Sequence, residues 1–288
     1  MKVLVTGAGG QVGRSLMGTA PANAQILACP HNELDIGDER AVTAYVRAKS
    51  PELIINSAAH TAVDRAEAEP ELAQRVNGDG PRYLAAAALE VGARLIHIST
   101  DFVFDGMSSK PYSPDAATNP LSVYGSTKLA GEQAVREVLP GHSVIVRTAW
   151  VYAAEGSNFV RTMLRIMSAK GSVRVVADQV GTPTSARSLA ETLWQIAANP
   201  LICGIHHWTD AGVASWYDFA VAIAEEGAER GLVPDTVSVT PISTAEYPTP
   251  ARRPSYSVLD KQSLAKFGLV PRHWRQRLRS VIGEMQVG

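Results

Sequence analysis

The sequence predicts an α/β fold built on a doubly wound parallel sheet. Two observations carry this prediction: short runs rich in β-branched residues alternate with segments of helical periodicity, and most of these runs have a continuous apolar core. Continuous apolar runs are typical of parallel strands buried on both faces, and such strands are connected by crossover helices. The predicted strands are KVLVTG (2–7), QILAC (25–29), ELIINSAA (52–59), RLIHIST (94–100) and SVIVRTAW (143–150).

Helical periodicity fills the intervals between these strands, most clearly in ERAVTAYVRAK (39–49) and ELAQRVNGDGPRYLAAAALEV (71–91). After Trp150 the alternation of predicted strands and helices becomes less regular. There the pattern predicts, in order, a helix near 157–169, the strand SVRVVA, a helix near 186–198 and proline-rich turns around EYPTPARRP.

This change in the alternation of strands and helices predicts two structural units. We expect a first domain over 1–150 and a smaller lobe over 151–288 that shapes a substrate site. No repeat, low-complexity tract or long linker separates the two units. We therefore expect them to pack closely, with segments near 185–210 packing back on the first domain.

Composition excludes several classes of protein. With 45% hydrophobic residues, 19% charged residues and a net charge of -1, the chain has the balance of a soluble globular protein, without the basic excess of nucleic-acid or anionic-membrane partners. The two cysteines, Cys29 and Cys203, form no paired motif, which favours a reducing compartment. No signal peptide and no apolar stretch of about 20 residues is recognisable, so we expect a cytoplasmic protein.

Glycines follow the first predicted strand in TGAGGQVGRSL. Gly7, Gly10 and Gly13 are spaced by three residues, whereas the strict G-x-G-x-x-G pattern would need glycine at Val12. Glycines in this place let a pyrophosphate approach the backbone, and the following helix attracts negative charge at its amino terminus. An ordinary strand-to-helix turn is the alternative, but the order of strand, glycines and helix favours a dinucleotide site.

Dinucleotide sites often carry an acid about 20 residues further on, where it holds the adenosine ribose. Residues 29–31 here are Cys-Pro-His, and only Arg14 lies near in sequence, so neither NADH nor NADPH is favoured. Asp35 and its neighbour Ile36 come later and are candidates for the adenine pocket. Alternatively, Asp35 caps the helix that begins near Asp38.

Hydroxyl and carboxyl groups stand at the end of the fourth strand, where ligands of doubly wound sheets collect. These are Ser99, Thr100 and Asp101, and the next helix presents Tyr124 and Lys128 on one side. A hydroxyl can orient a carbonyl, a phenol can deliver a proton, and an ammonium favours the phenolate. The set therefore predicts carbonyl reduction, with Lys128 making the phenol more acidic.

A second pair with the same spacing, Tyr45 and Lys49, precedes the third strand. It follows no strand that ends in hydroxyl groups. We interpret it as an ordinary helix face and as a matched control for the first pair.

Taken together, the ordered motifs resemble the extended short-chain dehydrogenases/reductases, and within them the dTDP-4-dehydrorhamnose reductase family. The resemblance covers nearly the whole chain. It rests on VTGAGGQVG, NSAAHTAVDRAE, STDFVFDG, PLSVYGSTKLAGE, VRTAWVY, DQVGTPT and YPTPARRP.

The resemblance implies a Rossmann domain over 1–150 that binds NADPH or NADH, and reduction of the C4 ketone of a dTDP-sugar. It implies that Thr100, Tyr124 and Lys128 are catalytic. The cofactor contacts that it implies are Gly10, Gln11, Val12, Ala59, His60 and Thr61, and the implied substrate contacts are Thr100, Asp101 and Trp150.

Three of these positions keep alternatives. His60 could be a histidine with all its hydrogen bonds satisfied at a strand end, and Trp150 could be a core side chain. Arg253 is interpreted as a contact to the diphosphate, although Arg252 and Arg253 could also form a solvated pair.

Two other functions share the fold. Dehydratases of the superfamily place a glutamate after the threonine and aspartate, where this chain has Phe102. A non-catalytic subunit like the methionine adenosyltransferase beta subunit would not need the intact Thr100, Tyr124 and Lys128 set. We therefore expect a reductase.

Assembly is a separate question. Some family members join two subunits through a metal bound by acidic side chains; at the matching positions Glu284 is acidic, whereas Ser15 and Arg187 are not. We predict no bound metal and a monomer or homodimer, without a metal bridge.

Overall fold

The computed structural model describes residues 1–285. Its strands, in chain order, are β1 (Lys2–Thr6), β2 (Gln25–Cys29), β3 (Leu53–Asn56), β4 (Arg94–Thr100), β5 (Ser143–Thr148), β6 (Val151–Tyr152), β7 (Ser172–Val176), β8 (Val180–Gly181), β9 (Thr184–Ser185), β10 (Gly204–His207), β11 (Ala214–Ser215) and β12 (Ser238–Ile242).

The helices alternate with these strands over the first half of the chain. They are α1 (Gln11–Gly18), α2 (Glu39–Lys49), α3 (Val63–Ala68), α4 (Pro70–Gln74), α5 (Gly80–Val91), α6 (Val123–Val138), α7 (Phe159–Lys170), α8 (Ala186–Ala198), α9 (Trp216–Ala228), α10 (Gln262–Ala265) and α11 (Trp274–Gly283). Side chains of the residues before them cap several helices: Asp38 accepts from the N–H of Ala41 at α2, and Ser122 from that of Gly125 at α6.

Within residues 1–285, six strands form the main sheet in the order β10, β5, β4, β3, β1, β2, and every neighbouring pair is parallel. The order reverses between β1 and β3, so the doubly wound prediction is confirmed. In such sheets the strand ends beside the reversal form a crevice that receives ligands.

Apolar side chains cover both faces of this sheet. Leu16 of α1 and Leu193 of α8 belong to the core on one face, whereas Val46 of α2 and Leu84 of α5 belong to the core on the other. A separate core, which includes Phe219, joins α7, α9 and α11. Strands buried on both faces explain why the sequence runs are apolar throughout.

The second half of the chain returns to the sheet. The indole N–H of Trp194 in α8 donates to the carbonyl of Leu16 (3.0 Å), and β10 pairs with β5. The domain boundary at residue 150 stays a prediction.

The predicted helix over 71–91 is wrong in one detail. A π-helical turn, Arg75–Asp79, separates α4 from α5. The Asn77 side chain in this turn hydrogen-bonds to the backbone N–H and carbonyl of His60. The backbone carbonyl of Asn77 approaches Gly131 of α6 so closely that a Cβ there would lie only 2.2 Å from it. The turn therefore serves close packing against α6, which the periodicity of one segment does not encode.

No helix in residues 1–285 is both long and apolar enough to span a bilayer.

Candidate active site

The glycine-rich turn brings the chain close to its neighbours at the end of β1. Gly7 has a φ of +68°, and a Cβ there would lie 2.6 Å from the backbone nitrogen of Ala58. A Cβ on Gly13 would lie 2.4 Å from the carbonyl oxygen of Gly7, so this glycine permits helix α1 to pack on the turn. Helix α1 starts after Gly10 with no side-chain cap, which leaves its amino terminus available to an anion.

A cavity of about 250 Å³ lies beside this turn. Among the predicted cofactor residues it brings together Gly7, Gly10, Asp35, Ile36 and Ala59. His31 also lines it, at the end of β2, where a ribose-binding acid would stand in other dinucleotide sites.

Asp35 lines this cavity but does not cap α2, so that alternative is wrong; Asp38 is the cap. The Asp35 carboxylate accepts from the Gly37 N–H (2.9 Å) and pairs with Arg75 (2.7 Å). Although burial acts to raise the pKa of Asp35, these two partners lower it.

A second cavity of about 500 Å³ lies next to the first, since Gly10 and Ala59 line both. The predicted site residues that line it are Gly10, Gln11, Val12, Ala59, Thr61, Thr100, Asp101, Tyr124, Lys128, Trp150 and Arg253. We call it the active cavity. One continuous space thus joins the glycine-rich turn to the predicted catalytic set.

Gly13 and His60 line neither cavity. Gly13 acts by packing, as described above. The His60 side chain faces Glu69, with 3.6 Å between Nε2 and the carboxylate, while Asn77 holds its backbone. Contact of the His60 side chain with a cofactor stays a prediction that this arrangement does not support.

The predicted catalytic residues lie at the end of β4, for Thr100, and on α6, for Tyr124 and Lys128. The Thr100 hydroxyl donates to Asp101 (3.1 Å), and burial raises the pKa of Asp101 to about 6, although the hydroxyls of Ser257 and Thr100 oppose this. Burial also raises the pKa of Tyr124 to about 12, with a hydrogen bond to Thr100 acting to lower it. The phenol is therefore protonated at neutral pH.

The expected acidification of Tyr124 by Lys128 is wrong for this arrangement. The Lys128 ammonium donates to the carbonyl of Ile98 (2.7 Å) and lies 3.4 Å from His97 Nε2. Burial lowers the pKa of Lys128 to about 8, whereas the Glu132 carboxylate acts to raise it. Burial is thus the largest cause of the pKa shift of both Tyr124 and Lys128.

Trp150 packs against the core of the second lobe and also lines the active cavity, whereas its contact with a substrate stays a prediction. Its ring stacks on that of Trp216, with 3.6 Å between ring centroids and 9° between planes, and both rings line the active cavity. Trp150 has a φ of +49°, which is unusual for a large residue. Sequence reasoning missed Trp216, because it lies 66 positions away and reaches the site only through the fold.

Arg253 lines the active cavity, yet its guanidinium is already paired. It donates to both carboxylate oxygens of Asp64 (3.1 and 2.8 Å), and this hydrogen bonding lowers the pKa of Asp64. The predicted contact with a diphosphate would have to share this cation, and it stays a prediction.

Comparison with known proteins now decides the family. The family model described as RmlD substrate binding domain matches residues 1–287. The chain belongs to this family. The resemblance inferred from the motifs is therefore confirmed.

Members and neighbours of the family agree along the whole chain. The chain is 42% identical to the spore coat polysaccharide biosynthesis protein SpsK of Bacillus subtilis (98% of this chain, 97% of the relative), and 43% identical to a dTDP-4-dehydrorhamnose reductase of Burkholderia thailandensis (96% of each). The crystal structure of a dTDP-4-dehydrorhamnose reductase of Bacillus anthracis in complex with NADP is similar, with a TM-score of 0.93, 36% identity and 99% of each chain covered.

A buried ion pair that sequence reasoning missed contacts Ser99, a residue that lines the active cavity. Glu132 of α6 accepts from Nε and Nη2 of Arg147 in β5 (2.9 and 2.7 Å), and it also accepts from the Ser99 hydroxyl. Both side chains are at most 3% exposed. The available signals were an arginine inside an apolar strand and a glutamate one turn after Lys128.

The control pair lies elsewhere. Tyr45 of α2 bonds to the buried Cys29 thiol, and Lys49 lies 5.7 Å from the centre of the Tyr45 ring. Neither residue lines one of the two cavities.

At the positions matched to the metal bridge, Glu284 pairs with Arg187 across 3.4 Å. Among residues 1–285, no group of three or more His, Cys, Asp or Glu side chains could hold a metal ion.

Proposed function

We propose that the chain is a dTDP-4-dehydrorhamnose reductase that reduces the C4 ketone of dTDP-4-dehydro-L-rhamnose to give dTDP-L-rhamnose. The observation that carries the proposal is the continuous space that joins the glycine-rich turn to Thr100, Tyr124 and Lys128. The named reductases at about 40% identity over nearly the full chain support the substrate class.

The residues present fit NADPH or NADH. The close approach at Gly7 and the uncapped amino terminus of α1 suit a pyrophosphate, and the smaller cavity beside them suits the adenosine half. When bound, the reduced nicotinamide supplies the hydride for the carbonyl carbon. The complex of a similar reductase with NADP supports this cofactor class.

Tyr124 has the properties of the general acid in this direction of reaction. Its pKa of about 12 keeps the proton on the phenol until a carbonyl oxygen begins to gain negative charge. The Thr100 hydroxyl lines the same cavity and can hold the same oxygen. Lys128 lines the active cavity, where its ammonium can bind the nicotinamide ribose.

The walls of the active cavity contribute binding and orientation. The Trp150 ring and the paired Arg253 guanidinium offer an apolar face and a cation to a sugar diphosphate. Asp101 lies beside the reacting groups and can accept hydrogen bonds from sugar hydroxyls.

Dehydration of a nucleotide sugar is the second candidate, and one observation disfavours it. Phe102 occupies the position of the dehydratase glutamate, and its ring packs edge-on against Tyr124 with 5.5 Å between centroids. A non-catalytic role is disfavoured because the predicted catalytic residues share one cavity.

The deciding experiment follows oxidation of NADPH and of NADH with a dTDP-4-keto sugar. The proposal requires one reduced cofactor consumed per product formed. Release of a 4-keto-6-deoxy sugar from dTDP-glucose without net cofactor change would establish the dehydratase instead, and no turnover with either substrate would favour the non-catalytic role.

The cellular setting is part of the same proposal. We infer a cytoplasmic enzyme, monomeric or homodimeric, that acts on its nucleotide sugar without a nucleic-acid or membrane partner. Balanced charge and the absence of paired cysteines support this. Light scattering with and without a chelator tests the assembly; dissociation by the chelator would show a metal bridge.

A further inference from the structure

A buried row of polar side chains leads to Lys128. Its other two members, Asn56 and His97, have no part in the proposed mechanism. Asn56 ends β3, His97 lies within β4, and all three side chains are at most 2% exposed. Asn56 Nδ2 lies 3.0 Å from His97 Nδ1, and His97 Nε2 lies 3.4 Å from Lys128 Nζ. This row of side chains therefore links the end of β3 to the lysine of the active cavity.

The contacts of Asn56 fix the orientation of its amide. Its Oδ1 atom accepts from the Thr6 hydroxyl (2.7 Å) and from the backbone N–H of Ala58 (3.1 Å). A backbone N–H can only donate, so the atom facing it is the carbonyl oxygen. The amino group, which also can only donate, consequently faces His97 Nδ1.

This orientation fixes the tautomer of His97. Burial and the nearby Lys128 hold the pKa of His97 well below its usual range, so the ring is neutral. Since Nδ1 accepts from Asn56, the single ring proton is on Nε2 and points at Lys128 Nζ. An ammonium has no lone pair to accept it, so two donors face each other.

We propose that His97 is a positioning residue for the reductase: held by Asn56 as the Nε2–H tautomer, it turns the Lys128 ammonium toward a backbone carbonyl of β4 and makes its proton easier to remove. The proposal rests on the proposed function. The carbonyl of Ile98, the next residue of β4, accepts from this ammonium at 2.7 Å.

The other charged and titratable groups near Lys128 do not make its proton easier to remove. Glu132, one turn along α6, favours the ammonium, but its carboxylate is shared with Arg147 of β5. Tyr124, on the same helix, is a neutral phenol at neutral pH, and Asp101 lies in the turn that follows β4. Burial lowers the pKa of Lys128 to about 8, so its ionisation can be followed in a pH–rate profile.

The tautomer can be observed without turnover. In protein labelled with ¹⁵N-histidine, NMR distinguishes protonated from unprotonated ring nitrogens, and the variant His97→Gln identifies the signals of this ring. We expect a proton on Nε2 and none on Nδ1. A proton on Nδ1 would overturn the proposal, and neither result depends on the substrate.

A reversed tautomer tests the effect on Lys128. In Asn56→Asp a carboxylate faces Nδ1, which moves the proton to Nδ1 and frees Nε2 to accept from the ammonium. We expect the alkaline limb of the kcat/KM profile, followed as NADPH oxidation, to move up by about one pH unit, the size of one hydrogen bond.

The new charge also acts directly on Lys128, so the same substitution is made in the His97→Gln background. The shift must be smaller there; equal shifts in both backgrounds would refute the role of His97. If Asn56→Asp does not fold, His97→Asn serves instead, since it keeps an acceptor for Asn56 and removes the Nε2–H group. An unchanged alkaline limb in that variant would overturn the proposal.

Discussion

Replacing Tyr124 with phenylalanine removes one hydroxyl from the active cavity, and we expect turnover to fall by about 100- to 10,000-fold. The phenol lines the active cavity and is protonated at neutral pH, because burial raises its pKa, so it is the proposed proton donor. No other phenol lines this cavity within residues 1–285. General acid catalysis is worth about 100- to 10,000-fold, which corresponds to about 2.7–5.4 kcal/mol of activation free energy.

The matched control is Tyr45→Phe, which deletes the same atom at the same spacing from a lysine. Its hydroxyl bonds to Cys29, so the control should lose about 1 kcal/mol of stability and keep turnover within about twofold. Steady-state oxidation of the reduced cofactor and thermal unfolding are measured for both variants. Near-normal turnover in folded Tyr124→Phe, or equal losses in the two variants, would refute the assignment.

Three further results are expected. Glu132→Gln should lower the free energy of unfolding by about 3–5 kcal/mol, because it leaves the Arg147 charge buried and uncompensated, whereas Arg187→Gln in the exposed pair with Glu284 should cost less than about 1 kcal/mol; chemical denaturation measures both. Burial raises the pKa of Asp101 to about 6, so its ionisation opposes folding as pH rises; the stability of Asp101→Asn relative to the unaltered chain should therefore increase between about pH 4 and 6, and a flat difference would contradict this. With no acid or base at the end of β2 except His31, steady-state kinetics should show less than about 1,000-fold preference, or about 4 kcal/mol, between NADPH and NADH.

Local signals in the sequence were sufficient for much of the fold. The strand runs and the helix over 39–49 depend on periodicity within a few residues, and the structure places them where the pattern predicted. The glycine-rich turn is similar, because Gly7 needs its positive φ within one turn. The π-helical turn was missed, and it packs closely against Gly131, a residue more than 50 positions away that its own segment does not contain.

Parts of the site depend on contacts between distant segments, and no single window of sequence contains them. Trp216 reaches Trp150 only after α9 folds against the lobe, and Arg147 meets Glu132 only when β5 lies under α6. Arg253 shows the same limit in reverse. Its sequence context suggested a free cation, but Asp64, 189 positions earlier, binds it.

The two Tyr-Lys pairs show why spacing alone cannot define a reaction centre. A separation of four places both side chains on one helix face, and both pairs satisfy it. Their surroundings then differ: Lys49 lies over the ring of its own tyrosine, whereas Lys128 is drawn to a strand carbonyl and faces His97. Burial acts on both tyrosines, yet only Tyr124 also meets a hydroxyl at the end of β4. The chemistry therefore comes from the strand beneath the helix, so exchanging Thr100 for valine should affect turnover more than any change to the exposed face of α2.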